Sequence, residues 1–342
     1  MSDVKFVNVA GFFYSGSGAV VDLLKEFENF YECNAEIRFI KDPFGLSQLE
    51  SALVEHWELI NSAAAIADFR EMCRKGSRPG GRKIFAKAGH GYSQRIAHDF
   101  MDIVDEYIDR LTEFTYKDEY YHFKFQKPYL KYVIDRIRHG IERQSGGKIK
   151  IANRNIKPLH FSHPTQEKFN SDTQWFMKKI FHEHIEGKES PCIILDQAVS
   201  PNNPQVIHRY FTDSKLIIVD RDPRDSFINI AKASCYTGKD LNSKETGHNY
   251  SIRQKALRSN LVTDPDIMYV RFEDLITKYE EVVRKIANFI GVPIERHTNP
   301  KKYLDPGVSI NNIGLWKKYY NECKDTLDQI AKELPDLCYN MN

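Results

Sequence analysis

Lys215–Asp220 reads Lys-Leu-Ile-Ile-Val-Asp, an apolar run with no polar alternation. A strand that is apolar on both sides must be covered on both faces, the condition of an interior strand in a parallel sheet. Lys5–Ala10, Cys192–Leu195 and Ile267–Arg271 are short runs of the same kind, and Asn29–Cys33 is a further candidate strand. Between them, Ala19–Phe27, Pro204–Phe211, Asp225–Ala233 and Leu275–Ile290 carry helical patterns, the last stopped by Gly291 and Pro293. Strands alternating with helices predict an α/β fold with a central parallel β-sheet flanked by helices.

Gln48 to about Cys73 is read as helical and Lys75–Arg82 as a loop. Residues from about 90 to 185 are read as a largely helical insertion within a single domain of 342 residues. Gly146-Gly147 marks a break inside it, and Lys157–Pro164 is read as loop-like.

The chain carries 49 basic and 47 acidic side chains, a net charge of +2. That balance argues against a general nucleic-acid binder, which usually has a strong basic excess. The six cysteines, at 33, 73, 192, 235, 323 and 338, show no CxxC spacing, and no cluster has metal-ligand spacing, so no metal is expected. No apolar run approaches the length of a membrane span and no signal segment is recognised, so a cytoplasmic protein is expected.

Two segments carry chemistry. In Gly11-Phe12-Phe13-Tyr14-Ser15-Gly16-Ser17-Gly18, three glycines let the backbone turn tightly between a strand and a helix. The unpaired N–H groups of the helix start, from Ala19 onward, and the Ser15 and Ser17 hydroxyls suit a phosphate-type anion. No lysine precedes Ser17, so the pattern of nucleoside-triphosphate loops, GxxxxGK[ST], is not met. In the second segment, Lys215–Asp220 runs out into Arg221-Asp222-Pro223-Arg224-Asp225. Arg221 thus leaves the carboxyl end of a buried strand, where ligands of open α/β sheets bind, and a guanidinium there can grip a phosphate.

These segments resemble the sulfotransferases that use 3′-phosphoadenosine 5′-phosphosulfate (PAPS). Gly11, Ser15, Gly16 and Ser17 match the family's G-x-x-[KR]-[ST]-G-[ST] loop, which takes the 5′-phosphosulfate, and Arg221–Asp225 matches its R-[ND]-P-[RK]-D element for the 3′-phosphate. Tyr269–Leu275 with Phe289–Pro293 looks like the strand, [YF]-E-D-L, helix and F-L-G-[VL]-P series, and Gly314-Leu315-Trp316-Lys317 resembles the closing G-x-W-[KR] element. The likeness covers residues 5–35 and 190–320.

The resemblance implies a P-loop-like sulfotransferase fold and a soluble, bacterial-type enzyme. It would transfer a sulfuryl group from PAPS, without a metal, to a hydroxyl of a carbohydrate, glycolipid or sterol-like acceptor. Gly11, Tyr14, Ser15, Gly16, Ser17, Gly18, Ala19, Arg221, Asn229, Gly314, Trp316 and Lys317 are the implied nucleotide contacts. Glu36, after the second strand, is the first candidate for the base and His160 the second; His163, His90 and Asp196 are further candidates.

The chain departs from the family at several points, among them Asn229 in place of a usual serine and Ser309 and Asn311 in place of the basic and glycine residues that often precede the tryptophan element. Tyr14 stands where a Lys or Arg is usual, and in Cys192–Asn203, which sits where many relatives carry L-E-K-[ST]-P, Gln197 replaces the lysine. Compensating cations are expected among Lys87, Arg154, Lys157 and Lys317. The aromatics Tyr116, Tyr120, Tyr121, Phe123, Phe125 and Tyr129 are candidates for the acceptor pocket. A P-loop small-molecule kinase and a catalytically degenerate nucleotide binder are the alternatives.

Overall fold

The computed structural model describes residues 4–80, 89–118, 128–149, 157–233 and 240–340. Along the chain, β1 (Lys5–Gly11) leads through the glycine loop into α1 (Ser17–Leu24), followed by β2 (Phe30–Glu32) and the long α2 (Leu59–Ser77). Next come α3 (Phe100–Leu111), β3 (Phe114–Asp118), α4 (Tyr129–Gln144), β4 (Lys157–Phe161) and α5 (Gln166–Lys179). The C-terminal half supplies β5 (Cys192–Asp196), β6 (Ser214–Asp220), α6 (Pro223–Lys232), α7 (Lys244–Leu257) and β7 (Ile267–Arg271). It ends with α8 (Phe272–Thr277), α9 (Tyr279–Phe289) and α10 (Lys324–Glu333).

Five strands form one parallel sheet in the order β2-β5-β1-β6-β7. The unbroken apolar runs are explained by burial on both faces. Leu216 and Ile218 of β6 face one core, with Phe6, Phe69, Phe100 and Phe176. Ile217 and Val219 face a second core under α1, α8 and α9. Each face is sealed by helices because a parallel sheet has no face it can leave in water.

The structure corrects three local expectations. Within the stretch read as a largely helical insertion lies an antiparallel two-stranded sheet, β3 with β4, in which Thr115 pairs with His160. Lys157–Phe161 is therefore a strand and not a loop; Phe114 stacks flat on Phe161, ring centroids 4.6 Å apart, and this cross-strand pair holds the ribbon. The helix read over Leu275–Ile290 is two, α8 and α9, separated at Lys278, whose φ of −121° and ψ of 41° are not helical. Finally, α2 continues through Lys75 and Gly76 to Ser77, three residues into the stretch read as loop.

Candidate functional site

The carboxyl ends of the parallel strands gather the chemistry on one edge of the sheet. β1 and β6 are neighbours with Gly11 opposite Val219, so the glycine loop and Arg221 emerge side by side. On the other flank of β1, Val9 stands opposite Asp196 at the end of β5.

The loop is closed by Ser15, whose buried Oγ accepts the Phe12 N–H at 3.0 Å. Its hydroxyl is thereby engaged within the loop. Gly16 has φ +86°, and a Cβ there would come within 2.6 Å of the Phe272 ring. Both conformation and space require glycine. Phe13 and Tyr14 also lie in the left-handed region, at φ 55° and 59°. Side chains other than glycine hold that conformation at a cost of about 1 kcal/mol each, so the surroundings must impose it. Arg253 lies over the Phe13 ring at 4.6 Å and Arg258 over Phe12 at 4.1 Å, pinning the loop from α7 and the residue after it. No side chain caps the start of α1; the Ala19 N–H is taken by the Gly16 carbonyl at 3.0 Å, so the first-turn N–H groups at Ser17 and Gly18 are the ones left for a ligand. Gly18 has nothing within 4 Å of an added Cβ, so its contribution is its backbone.

Arg221 is 3% exposed. Its Nη2 donates to the Asn312 carbonyl, and its guanidinium stands 4.9 Å from the centre of the Phe272 ring. Its buried Nε has no hydrogen-bond partner. Burial pulls its pKa down, opposed by Asp225, Glu273 and Asp222. A buried cation with an unused donor beside a glycine cradle fits an anionic ligand, because an unmet buried donor is costly until something accepts from it.

The Gly314–Lys317 element is tied to the same helix. The two Asp225 oxygens accept the N–H groups of Gly314 and Trp316, each at 2.8 Å. Arg224 lies over the Trp316 ring at 4.1 Å and pairs with Asp222. Lys317 joins Trp316, Arg224 and Tyr339 around a cavity of about 260 Å³. Asn229 is half-buried further along α6, its carbonyl accepting from Ala233.

On the β5 side lies a charged cluster. Glu36 is exposed and pairs with Arg38 at 3.3 Å, and Arg38 also pairs with Asp42 at 2.8 Å. Asp196 has its pKa pushed up to about 6, by burial first and then by Glu36 and Glu32. Lys41 donates to Gln197 Oε1 at 3.1 Å, and Gln197 Nε2 donates to Ser17 Oγ at 2.7 Å.

His160 sits elsewhere. Its Nδ1 is 3.1 Å from the Thr112 hydroxyl, and burial lowers its pKa. It lines a cavity of about 960 Å³ with Arg70, Asp105 and Asp109. An adjoining cavity of about 560 Å³ is lined by Arg38, Asp42, Tyr92 and His90, and the two share Phe44, Asp68, Glu71 and Lys75. Glu36 and His160 are thus not brought together by any described contact. His163 packs against Trp57, ring centroids 4.6 Å apart.

Lys87, Arg154 and the side chain of Lys157 lie outside the described residues, as do Tyr120, Tyr121, Phe123 and Phe125. Tyr129 is 81% exposed at the start of α4. The fold also assembles two groups that sequence spacing did not show: Asp99 with His182 and Glu183, and His208 with Asp264 and Asp266. The second lies at the amino end of β7, on the edge opposite the loop, and Asp266 is already paired with Lys215. Sequence reasoning missed Lys41 and the anchoring role of Asp225. The pairing of Lys41 with Gln197 spans 156 residues, and no local pattern marks it.

The family model described as "Sulfotransferase family" matches residues 124–296, just over half of the 342 residues. No curated protein matches the chain. Among solved structures, the sulfotransferase domain of the Synechococcus PCC 7002 olefin synthase is 13% identical, with a TM-score of 0.43 over 100% of this chain and 96% of that one. A sulfotransferase from Alicyclobacillus acidocaldarius is 9% identical, with a TM-score of 0.38 over 97% and 96%. STF1 from Mycobacterium tuberculosis H37Rv is 11% identical, with a TM-score of 0.37 over 98% and 77%. No helix among the described residues is long and apolar enough to cross a membrane. With its central parallel sheet, its glycine loop and the family match across more than half its length, the chain belongs to the sulfotransferase family.

Proposed function

We propose that the protein transfers the sulfuryl group of PAPS to a hydroxyl of a polar, carbohydrate-like acceptor. The observation that carries this reading is the pairing of β1 with β6, which sets the Gly11–Gly18 loop beside buried Arg221 with its unused Nε donor. Two anion sites at neighbouring strand ends suit a nucleotide that carries phosphate at both its 5′ and 3′ positions.

In this reading the loop N–H groups and the Ser17 hydroxyl take the 5′-phosphosulfate, and Arg221 takes the 3′-phosphate. Trp316 and Lys317 close over the nucleotide, anchored by Asp225. Asn229 offers an amide beside the 3′-phosphate. The acceptor hydroxyl attacks sulfur in line as the bond to the 5′-phosphate oxygen breaks, and 3′,5′-adenosine bisphosphate leaves. Positioning and charge stabilisation do most of the work in such a displacement. Glu36 takes the acceptor proton. Asp196 is the second candidate in place of His160, because it follows the strand paired with β1 and its pKa of about 6 suits a base near neutral pH.

The acceptor enters through the joined cavities from Arg38 to His160. Their shared Asp68, Glu71 and Lys75, with Arg70, Asp105 and Asp109, favour a polyhydroxylated molecule over a sterol. The absence of lysine from the loop argues against a kinase.

Calorimetry with 3′,5′-adenosine bisphosphate and with magnesium ATP tests the donor. Tight bisphosphate binding and no response to ATP is expected; the reverse would overturn the reading. Radiolabelled PAPS offered to polysaccharides, glycolipids and sterols then tests the acceptor, with label expected on the saccharides. Nucleotide binding without turnover on any acceptor class would point to a degenerate binder instead.

A further inference from the structure

The loop that would face the transferred group contains no cation: Gly11-Phe12-Phe13-Tyr14-Ser15-Gly16-Ser17-Gly18 is neutral throughout. The hydrogen bonds around Ser17 show where a charge is linked to it. Lys41 lies in the turn between β2 and the helix at Leu46–Glu50. Its Nζ donates to Gln197 Oε1 at 3.1 Å, and Gln197 Nε2 donates to Ser17 Oγ at 2.7 Å.

The direction of this relay is not free. An ammonium has three donors and no acceptor, so Gln197 must turn its carbonyl oxygen to Lys41. Its NH2 then faces Ser17, whose oxygen accepts. A hydroxyl that accepts from Gln197 keeps its own proton for another partner, and Ser17 opens α1 at the mouth of the loop. Gln197 is held for this purpose in a left-handed conformation, φ 57°, by its N–H bond to the Val9 carbonyl at 2.9 Å. Such backbone strain in a residue other than glycine is kept where the surroundings over-determine it.

We propose that Lys41 is a positioning residue: through Gln197 it aims the Ser17 hydroxyl as a donor at the anion in the Gly11–Gly18 loop, and it brings to that loop the positive charge its own residues lack. This rests on the reading of the loop as an anion site for the PAPS phosphosulfate.

The charged groups facing Lys41 are Arg38 and Asp42 from its own turn, Glu36 from the preceding stretch and Asp196 from the end of β5. Burial and then Arg38 lower its pKa to about 8, with Asp42, Glu36 and Asp196 opposing. Above that pH the neutral amine can accept as well as donate. Gln197 is then free to turn over, and Ser17 loses its fixed polarity. The relay is therefore intact below about pH 8 and lost as pH rises through it.

The test is calorimetry with two probes, 3′,5′-adenosine bisphosphate and pyrophosphate, on the wild-type protein and three variants from pH 6.5 to 9.5. Lys41→Met is expected to weaken both probes roughly tenfold at pH 7, the loss typical of a charge-assisted hydrogen bond. Lys41→Arg keeps a donor-only cation and is expected to hold affinity at pH 7. It should also abolish the wild-type fall near pH 8, which a merely structural lysine would not produce. Gln197→Glu keeps a partner for Lys41 but draws the Ser17 proton to its carboxylate, so it should weaken both probes at least as much as Lys41→Met. Thermal melts check that each variant folds. Equal affinity of wild type and Lys41→Met, or a wild-type profile flat through pH 8, overturns the relay. Pyrophosphate binding that depends on Lys41, without bisphosphate binding, upholds the relay and overturns the donor assignment. Binding of neither probe overturns both.

Discussion

The two flanks of β1 are built differently. On the β6 side, Arg221, Asp222, Asp225 and Glu273 are almost wholly buried and bonded mainly to backbone: Asp225 to Gly314 and Trp316, Glu273 to the Asp222 N–H, Arg221 to Asn312. On the β5 side, Glu36, Arg38 and Asp42 are partly exposed and bonded mainly to one another. Buried charges with fixed backbone partners lose little freedom when a ligand arrives, which suits the constant part of a substrate. Exposed charges adjust at low cost, which suits the exchange of protons and the variable part. In the proposed reaction, the first flank holds the nucleotide and the second meets the acceptor. Substitutions on the β6 side should therefore change nucleotide affinity, and those in the exposed Glu36–Arg38–Asp42 cluster turnover, whereas Lys41 and Gln197 reach the nucleotide loop through Ser17.

Gly16 lies in the loop at the end of β1, between the two flanks, and its replacement should have the largest effect. Gly16→Ala meets Phe272 at 2.6 Å from a backbone at φ +86°, so overpacking and conformational strain add. A loss of about 3–4 kcal/mol in stability, with nucleotide binding abolished, is expected by thermal melt and calorimetry. Pairing it with Phe272→Leu should recover part of the stability; no recovery would place the whole cost in the backbone.

Arg221→Ala comes next, at about 3 kcal/mol of nucleotide affinity, or two orders of magnitude in Kd, since a buried charge-assisted contact is lost. An unchanged Kd would remove Arg221 from the β6 flank's proposed role. Glu36→Gln is expected to lower kcat about a hundredfold while leaving Kd for the bisphosphate unchanged. If Kd moved and kcat did not, the division between the flanks would fail. Asp225→Asn leaves Gly314 and Trp316 without their charged acceptor and should weaken the nucleotide by about 1–1.5 kcal/mol, read as faster dissociation by tryptophan fluorescence.

The fold was legible where local sequence and tertiary setting agree. Ile267–Arg271 was read as a strand with its observed bounds, and Lys215–Asp220 within one residue, because apolar residues on both faces admit few alternatives. α6 starts two residues before the Asp225–Ala233 pattern, with Pro223 at its first turn and Asp222 as its cap, both ordinary helix signals. The break at Lys278 and the β4 strand were missed because helical periodicity runs on through Lys278 and because β4 is stabilised by Phe114, 47 residues away. In the site, the glycine loop and Arg221 were legible because each sits on a single contiguous segment. The Lys41–Gln197–Ser17 chain was not, since its members meet only after β5 pairs with β1. Contiguity thus separates what the sequence shows from what it hides: Arg221–Asp225 is written in one run, whereas its bonds to Glu273, Asn312 and Gly314 and the Lys41–Gln197–Ser17 chain are assembled by the fold.

Asp196 gives the smallest effect, and it is read on stability. Its pKa rises from 3.8 to about 6 on folding, through burial first and then the nearby Glu36 and Glu32. Between those values the folded state holds more protons than the unfolded state, so stability falls as pH rises through that window and stays lower above it. The sign is opposite to that of a carboxylate held by a cation. Asp196→Asn removes the penalty. Discounted for partial solvent contact, it should add about 1 kcal/mol at pH 7.5, on the order of 2 °C in Tm, and nothing at pH 4. A variant with equal Tm gains at both pH values would owe its stability to packing rather than charge. A loss at pH 7.5 would mean that the carboxylate, already ionised in the folded protein, has a cationic partner there, and Lys41 would then belong to Asp196 as much as to Gln197.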